Sequence, residues 1–184
     1  MQSHNSDIIK RMCELGARPP IIQSCFRDIQ TKTIRQIWKN TTGKELVRGQ
    51  LPMATHRYFS FHLAVRSSLV AKVYADSIAA GASEAEAMIC AFELLHAIYG
   101  DRADMDFSEV WHISRCVSVG KFFFLNCDHG HTYIADRDSG LTQHPCPVCK
   151  EMVKLELKLA RQEKEAALRA IPAFKDKKRR CARL

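Results

Sequence analysis

The stretch Lys121-Phe-Phe-Phe-Leu-Asn-Cys127-Asp-His129-Gly130-His131 divides this chain into two textures. Before it, apolar residues recur at helical spacing. Within it, a short aromatic run reads as a strand and leads into one thiol and two imidazoles. After a further gap, with 18 residues between Cys127 and Cys146, comes Pro145-Cys146-Pro147-Val148-Cys149. A Cys-x-x-Cys pair brings two thiolates to one side of a tight turn, which is half of a tetrahedral zinc site. Pro145 and Pro147 stiffen that turn, and Cys127 supplies a third sulfur. A standard knuckle would place its fourth ligand, a thiol, at position 130, where this chain has Gly130. A histidine must then complete the set. Gly130 following His129 mimics the glycine after the second cysteine of a knuckle, which favours His129. Gly130 serving as the turn itself lets His131 reach back, which favours His131. We take Cys127, His131, Cys146 and Cys149 as the ligands of one zinc ion, with His129 as the alternative fourth ligand and His144 behind both.

Three chemistries compete for such a pair. A redox dithiol expects Cys-x-x-Cys at a helix start within alternating strands and helices, a context this sequence lacks. A zinc-dependent hydrolase needs an open metal position and a base beside it. Asp128, Asp136 and Asp138 could be considered for that base, yet four protein ligands already fill the ion's coordination. The reading adopted is a structural zinc that folds a segment too small to bury its own core, in a protein that is not an enzyme.

Working back from Lys121, the periodicity predicts a helical body. Ile8, Ile9, Met12 and Leu15 mark one helix, with Gly16 as its stop. A short helix opens at Pro19-Pro20 and carries Ile21, Ile22 and Cys25. The next starts on a Thr31 cap, carries Ile34, Ile37 and Trp38, and ends at Gly43. Gly49 to Pro52 reads as loop. A long helix is expected over Tyr58 to Ala80, with Leu63, Leu69, Val70, Val73, Tyr74 and Ile78 inward. Ser83-Glu-Ala-Glu86 is a capping box that opens a helix ending at Gly100. Another starts near Phe107. Beyond Lys150 a charged helix carries Met152, Leu155 and Leu159 and stops before Pro172. The fold class is therefore mainly α. A helical N-terminal body with a helix-turn-helix-like segment precedes a small zinc-ribbon-like segment and a C-terminal charged helix. The corresponding domains are 1–119, with the helix-turn-helix-like segment at about 19–43, then 120–150, then 151–184.

The formal charge is +8 and is unevenly spread. Arg161 to Leu184 holds nine basic against three acidic residues, and Thr31 to Gln50 five against one. Two local basic segments favour a polyanion, most often nucleic acid. Pro19 to Gly43 fits a helix-turn-helix, whose second helix enters the major groove. Thr31, Lys32, Arg35, Gln36 and Lys39 lie off its apolar face. Arg and Gln suit bidentate contacts with guanine and adenine, and Lys and Thr suit phosphate. The tail residues Lys177, Lys178, Arg179 and Arg180 would add contacts to phosphates without sequence choice. A single-stranded nucleic-acid binder would need exposed aromatic platforms. The only aromatic run, Phe122–Phe124, is better explained as the core strand of the zinc segment. No apolar run approaches the ~20 residues of a membrane span, and no secretory signal is visible, so no membrane and a cytoplasmic location are expected. Cys13, Cys25, Cys90 and Cys116 read as small buried apolar residues.

Leu15-Gly-Ala-Arg18, Thr31-Lys-Thr-Ile-Arg-Gln-Ile-Trp38, Gly49-Gln-Leu-Pro52 and the helix through Tyr74 resemble the FlhC family, across roughly Ile8 to Cys149. These proteins are one subunit of the bacterial flagellar master transcription activator. The resemblance implies a heteromeric complex with a small helical FlhD-like partner, binding to promoter DNA upstream of target genes, and RNA polymerase as a further partner. It also implies a zinc held by four cysteines. Cys127, Cys146 and Cys149 match three of those positions, and this chain departs from the family at the fourth. Because the family includes activators of conjugative transfer, the regulated genes are expected to be flagellar or conjugative.

Overall fold

The computed structural model describes residues 2–45, 49–60, 63–139 and 145–170. The chain divides into two compact units, Met1–His144 and Pro145–Leu184.

In the first unit, α1 (Gln2–Glu14) buries Ile9, Met12 and Cys13. Gly16, at φ +89°, adopts the left-handed backbone that turns the chain away from it. The two prolines then occupy the first turn of α2 (Pro19–Cys25), where a missing N–H costs nothing. Gln23 holds the connection that follows, its Nε2 donating to the carbonyls of Phe26 (3.1 Å) and Ile29 (2.9 Å). The next helix, α3 (Thr31–Thr42), buries Ile34 and Trp38 and ends at Gly43 in the left-handed region. Thr31 is its first residue rather than its cap. The cap position belongs to Gln30, whose side chain makes no capping bond. Trp38 Nε1 donates to the Ala17 carbonyl at 2.9 Å, which locks α3 onto the link between α1 and α2.

The long helix expected from Tyr58 is divided. His56–Phe59 forms a 3-10 turn, and α4 proper runs Ala64–Ala79. Tyr58 is buried all the same, its hydroxyl 2.9 Å from Nδ1 of His112. Ile78, near the end of α4, is 39% exposed rather than inward. The capping box at Ser83 and Glu86 opens α5 (Glu84–Tyr99), and Gly100 ends it. A second box, Asp106 with Glu109, opens α6 (Phe107–Ser118). Cys90 faces outward from α5, so the reading of it as buried is corrected, and Cys25 is only half-buried. Helix α4 packs on α5 and α6, and α1 packs on α3 and α5.

The strand expected at 121–125 is β1 (Phe122–Asn126), and it pairs antiparallel with β2 (Thr132–Asp136) in the register Phe122↔Asp136 to Asn126↔Thr132. The hairpin rests on the helical body through β2 on α4 and β1 on α6. Phe122 meets the rings of Phe59 (5.2 Å) and Tyr58 (6.2 Å) edge-on, and Ser68 Oγ accepts the Ile134 N–H at 3.2 Å. Phe122 is core and Phe124 packs against it, so neither is a free stacking platform.

The second unit contains α7 (Pro147–Ala170), which begins three residues before the Lys150 expected from the charge pattern. Met152, Leu155 and Leu159 are exposed on it. Among the described residues no helix is long and apolar enough to cross a membrane. The architecture is mainly helical, with one two-stranded sheet and a C-terminal charged helix.

Candidate metal centre and nucleic-acid interface

The hairpin turn is built by Gly130. Its N–H donates to the Cys127 carbonyl at 2.8 Å, and the Cys127 N–H donates to the His131 carbonyl at 3.0 Å. These two bonds define a three-residue loop in which the third position must be left-handed. Gly130, at φ +78°, meets that demand. The loop sets Cys127 and His131 opposite each other, with side chains on one face of the hairpin. Cys127 Sγ lies 3.5 Å from His131 Nδ1. A tetrahedral zinc with Zn–S of about 2.3 Å and Zn–N of about 2.0–2.1 Å would set such ligand atoms about 3.6 Å apart. His129 sits exposed at the loop, its ring stacked beside that of His131 at 6.4 Å.

The paired thiols come from the start of α7. The Cys146 carbonyl accepts the Lys150 N–H at 3.1 Å, which makes Cys146 the cap residue, Pro147 the first helical residue and Cys149 the third. Cap and third positions face each other, as the two side chains of a capping box do. The dithiol thus meets the helix-start condition of a redox pair, contrary to the sequence reading. The alternating strands and helices of that fold are absent from the described residues.

Cys127, His131, Cys146 and Cys149 form a group that can hold a metal ion, with ligand atoms all within 4.8 Å of one another. That group contains His131 and not His129, while His144 lies outside the described residues. Three sulfurs and one imidazole fit zinc by donor type. Burial pushes Cys13, Cys25 and Cys116 up to about 11, which keeps them protonated and inert.

The second candidate surface is the outer face of α3. Thr31, Lys32, Arg35, Gln36 and Lys39 are all exposed, whereas Ile34 and Trp38 of the same helix are buried. Gln36 Nε2 donates to Asn40 Oδ1 at 2.9 Å, and Lys39 pairs with Glu45 at 2.9 Å. Both contacts are solvent-exposed and cost little to exchange for another partner. The basic positions Lys177, Lys178, Arg179 and Arg180 lie outside the described residues. One polar cleft escaped the sequence reading. Arg27, in the turn before α3, and Arg115, on α6, border it from 88 positions apart.

No curated protein matches the chain significantly. Residues 2–161 match the family described as the flagellar transcriptional activator FlhC. That match takes in the whole helical body, the hairpin, and α7 as far as Arg161. The chain belongs to the FlhC family of transcriptional activators.

Proposed function

We propose that the chain is the DNA-binding subunit of a cytoplasmic, heteromeric FlhDC-like activator and not an enzyme. In this reading α3 enters the major groove of double-stranded promoter DNA. Arg35 and Gln36 read base edges, and Thr31, Lys32 and Lys39 hold backbone. The basic tail adds phosphate contacts. A structural zinc on Cys127, His131, Cys146 and Cys149 braces the segment 120–150 between the DNA-reading body (1–119) and the charged helix and tail (151–184). An FlhD-like subunit and RNA polymerase are the protein partners, and the regulated genes are flagellar or conjugative.

The observation that carries the proposal is the composition of α3. It has a two-residue anchor, Ile34 and Trp38, on one side. On the other it has three basic residues and a glutamine, with no acidic residue anywhere in the helix. A helix that merely faced water would have no reason to exclude carboxylates, whereas one that approaches phosphates must.

The test is Arg35→Ala in the purified complex. Affinity for the cognate duplex should fall by about 1–3 kcal/mol, with little change on random duplex. Equal losses on both would make Arg35 a backbone contact only, and no loss on either would remove α3 from the interface.

A further inference from the structure

The cleft between the α2–α3 turn and α6 has a volume of about 190 Å³. That is roughly six times the ~30 Å³ a water occupies in the liquid. It is below the ~300 Å³ at which sites for whole small molecules begin. It therefore suits one charged group rather than a cofactor.

Its polar lining is basic and hydroxylic. Arg27 and Arg115 are both exposed and border it, together with Ser24, Ser114 and Ser118. Neither arginine has an ion-pair partner among the described residues, although Arg11, Arg57, Lys39, Lys72 and Lys121 all do. Ser114 is 1% exposed, and its Oγ has no hydrogen-bond partner among the described residues. A buried hydroxyl without a partner is a cost that a ligand oxygen, or a water held by one, would relieve.

The frame around the cleft is fixed. Trp111 Nε1 on α6 donates to Ser24 Oγ on α2 at 3.2 Å, and Ser24 Oγ donates to the Ile21 carbonyl at 2.6 Å. The Arg115 guanidinium lies over the Trp111 ring at 5.9 Å, a contact that orients the cation. Glu84 is the single carboxylate among the lining residues, and it opposes an anion there.

We infer that this cleft is a phosphoryl-group site in which Arg27 and Arg115 grip one DNA backbone phosphate beside α3. The inference rests on the reading of α3 as a DNA-entering helix. Arg27 stands four positions before Thr31, so a phosphate held there flanks the groove that α3 would occupy. Two guanidiniums presented to one phosphate match the geometry these groups favour. The contact carries no base information and sets the position of α3 on the duplex.

The experiment measures binding of a fluorescein-labelled random-sequence duplex to the purified full-length complex over a range of salt concentrations. Arg27→Ala with Arg115→Ala should weaken binding. It should also make the slope of log K against log salt shallower by about 0.9, the loss of one phosphate. Glu84→Gln should tighten binding by removing the opposing charge, and Arg115→Lys should restore part of what Arg115→Ala loses. Circular dichroism of each variant confirms that the exposed substitutions leave the fold intact. Inorganic phosphate, titrated at constant ionic strength, separates the sources. Competition with the duplex at millimolar concentration in wild type but not in the double variant supports the site. Protection of the fold by phosphate, with duplex binding unchanged in the double variant, overturns the assignment to DNA. A double variant with wild-type slope overturns the inference alone. A wild-type complex that binds no duplex overturns the reading of α3 and this inference together.

Discussion

Cys127 and His131 face each other across the end of the β1–β2 hairpin, Sγ to Nδ1 at 3.5 Å, because Gly130 closes a three-residue loop between them. The pairing follows from a backbone requirement rather than from the spacing of metal-binding residues along the chain. It also places His131 within the group of four side chains that could hold a metal ion.

Substitution at the two histidines tests this assignment. Changes in the groups that merely orient a ligand already cost about 10–100-fold in metal affinity, so His131→Ala should cost more than about 100-fold. His131→Cys should retain binding, and His129→Ala should leave affinity near wild type. Chelator competition and the absorption spectrum of the cobalt-loaded protein measure all three. The reverse ranking of His129 and His131 would move the fourth ligand to His129.

Gly130 should resist replacement by any residue with a Cβ. At φ +78° there is open space around it, so the penalty in Gly130→Ala is backbone strain and not a clash. A loss of about 1 kcal/mol or more is expected, with Gly130→Asn milder because asparagine tolerates the left-handed region. Urea unfolding of the metal-loaded protein gives the difference.

Trp38 anchors α3 by both burial and its indole N–H. Trp38→Phe keeps most of the apolar area but leaves the buried Ala17 carbonyl without its 2.9 Å donor. The expected cost is about 1–3 kcal/mol. Because Trp38 is buried while Arg35 is exposed, stability should fall while the preference for cognate over random DNA survives in the molecules that remain folded. Thermal melts and binding assays on the same preparation check both halves.

His112 should make the fold sensitive to mild acid. Burial, and then the nearby Lys121 and Arg115 charges, hold its folded-state pKa below the usual histidine value. The unfolded chain therefore takes up the proton first. This contribution is intact above the unfolded value of about 6.5 and is lost as pH falls below it, by at most about 1.4 kcal/mol per pH unit. Glu109 acts in the opposite sense. Burial raises its folded pKa, so its contribution is lost as pH rises through the carboxylate range. Subtracting the curve of His112→Asn from that of wild type, from pH 7.5 down to pH 5, isolates the histidine. A difference curve flat across that window would show that His112 does not titrate differently on folding.

Much of this fold is legible in the sequence where two side chains must cooperate at fixed spacing. Ser83 and Glu86 mark a helix start by themselves, and Pro19-Pro20 followed by Gly43 brackets the α2–α3 pair. Asp106 and Glu109 carry the same box as Ser83 and Glu86 and open α6 at Phe107. Periodicity alone does less. It shows that a helix has an apolar side, but not where a neighbour stops covering that side, which is why Ile78 and Cys90 turn out exposed. It also did not reveal that the chain turns at His56–Phe59 before α4 begins. The three cysteines of the candidate site are legible by spacing. The choice between His129 and His131 depends on the φ of Gly130, which spacing does not contain. That Arg27 and Arg115 border one cleft depends on how α6 meets α2 through Trp111 and Ser24, and no local pattern encodes it.

The metal content of the purified protein tests the central claim most directly. Elemental analysis of the full-length complex, prepared without chelator, should find one zinc per chain, and that zinc should be lost in Cys146→Ser. A well-folded chain carrying no metal at all would contradict the account.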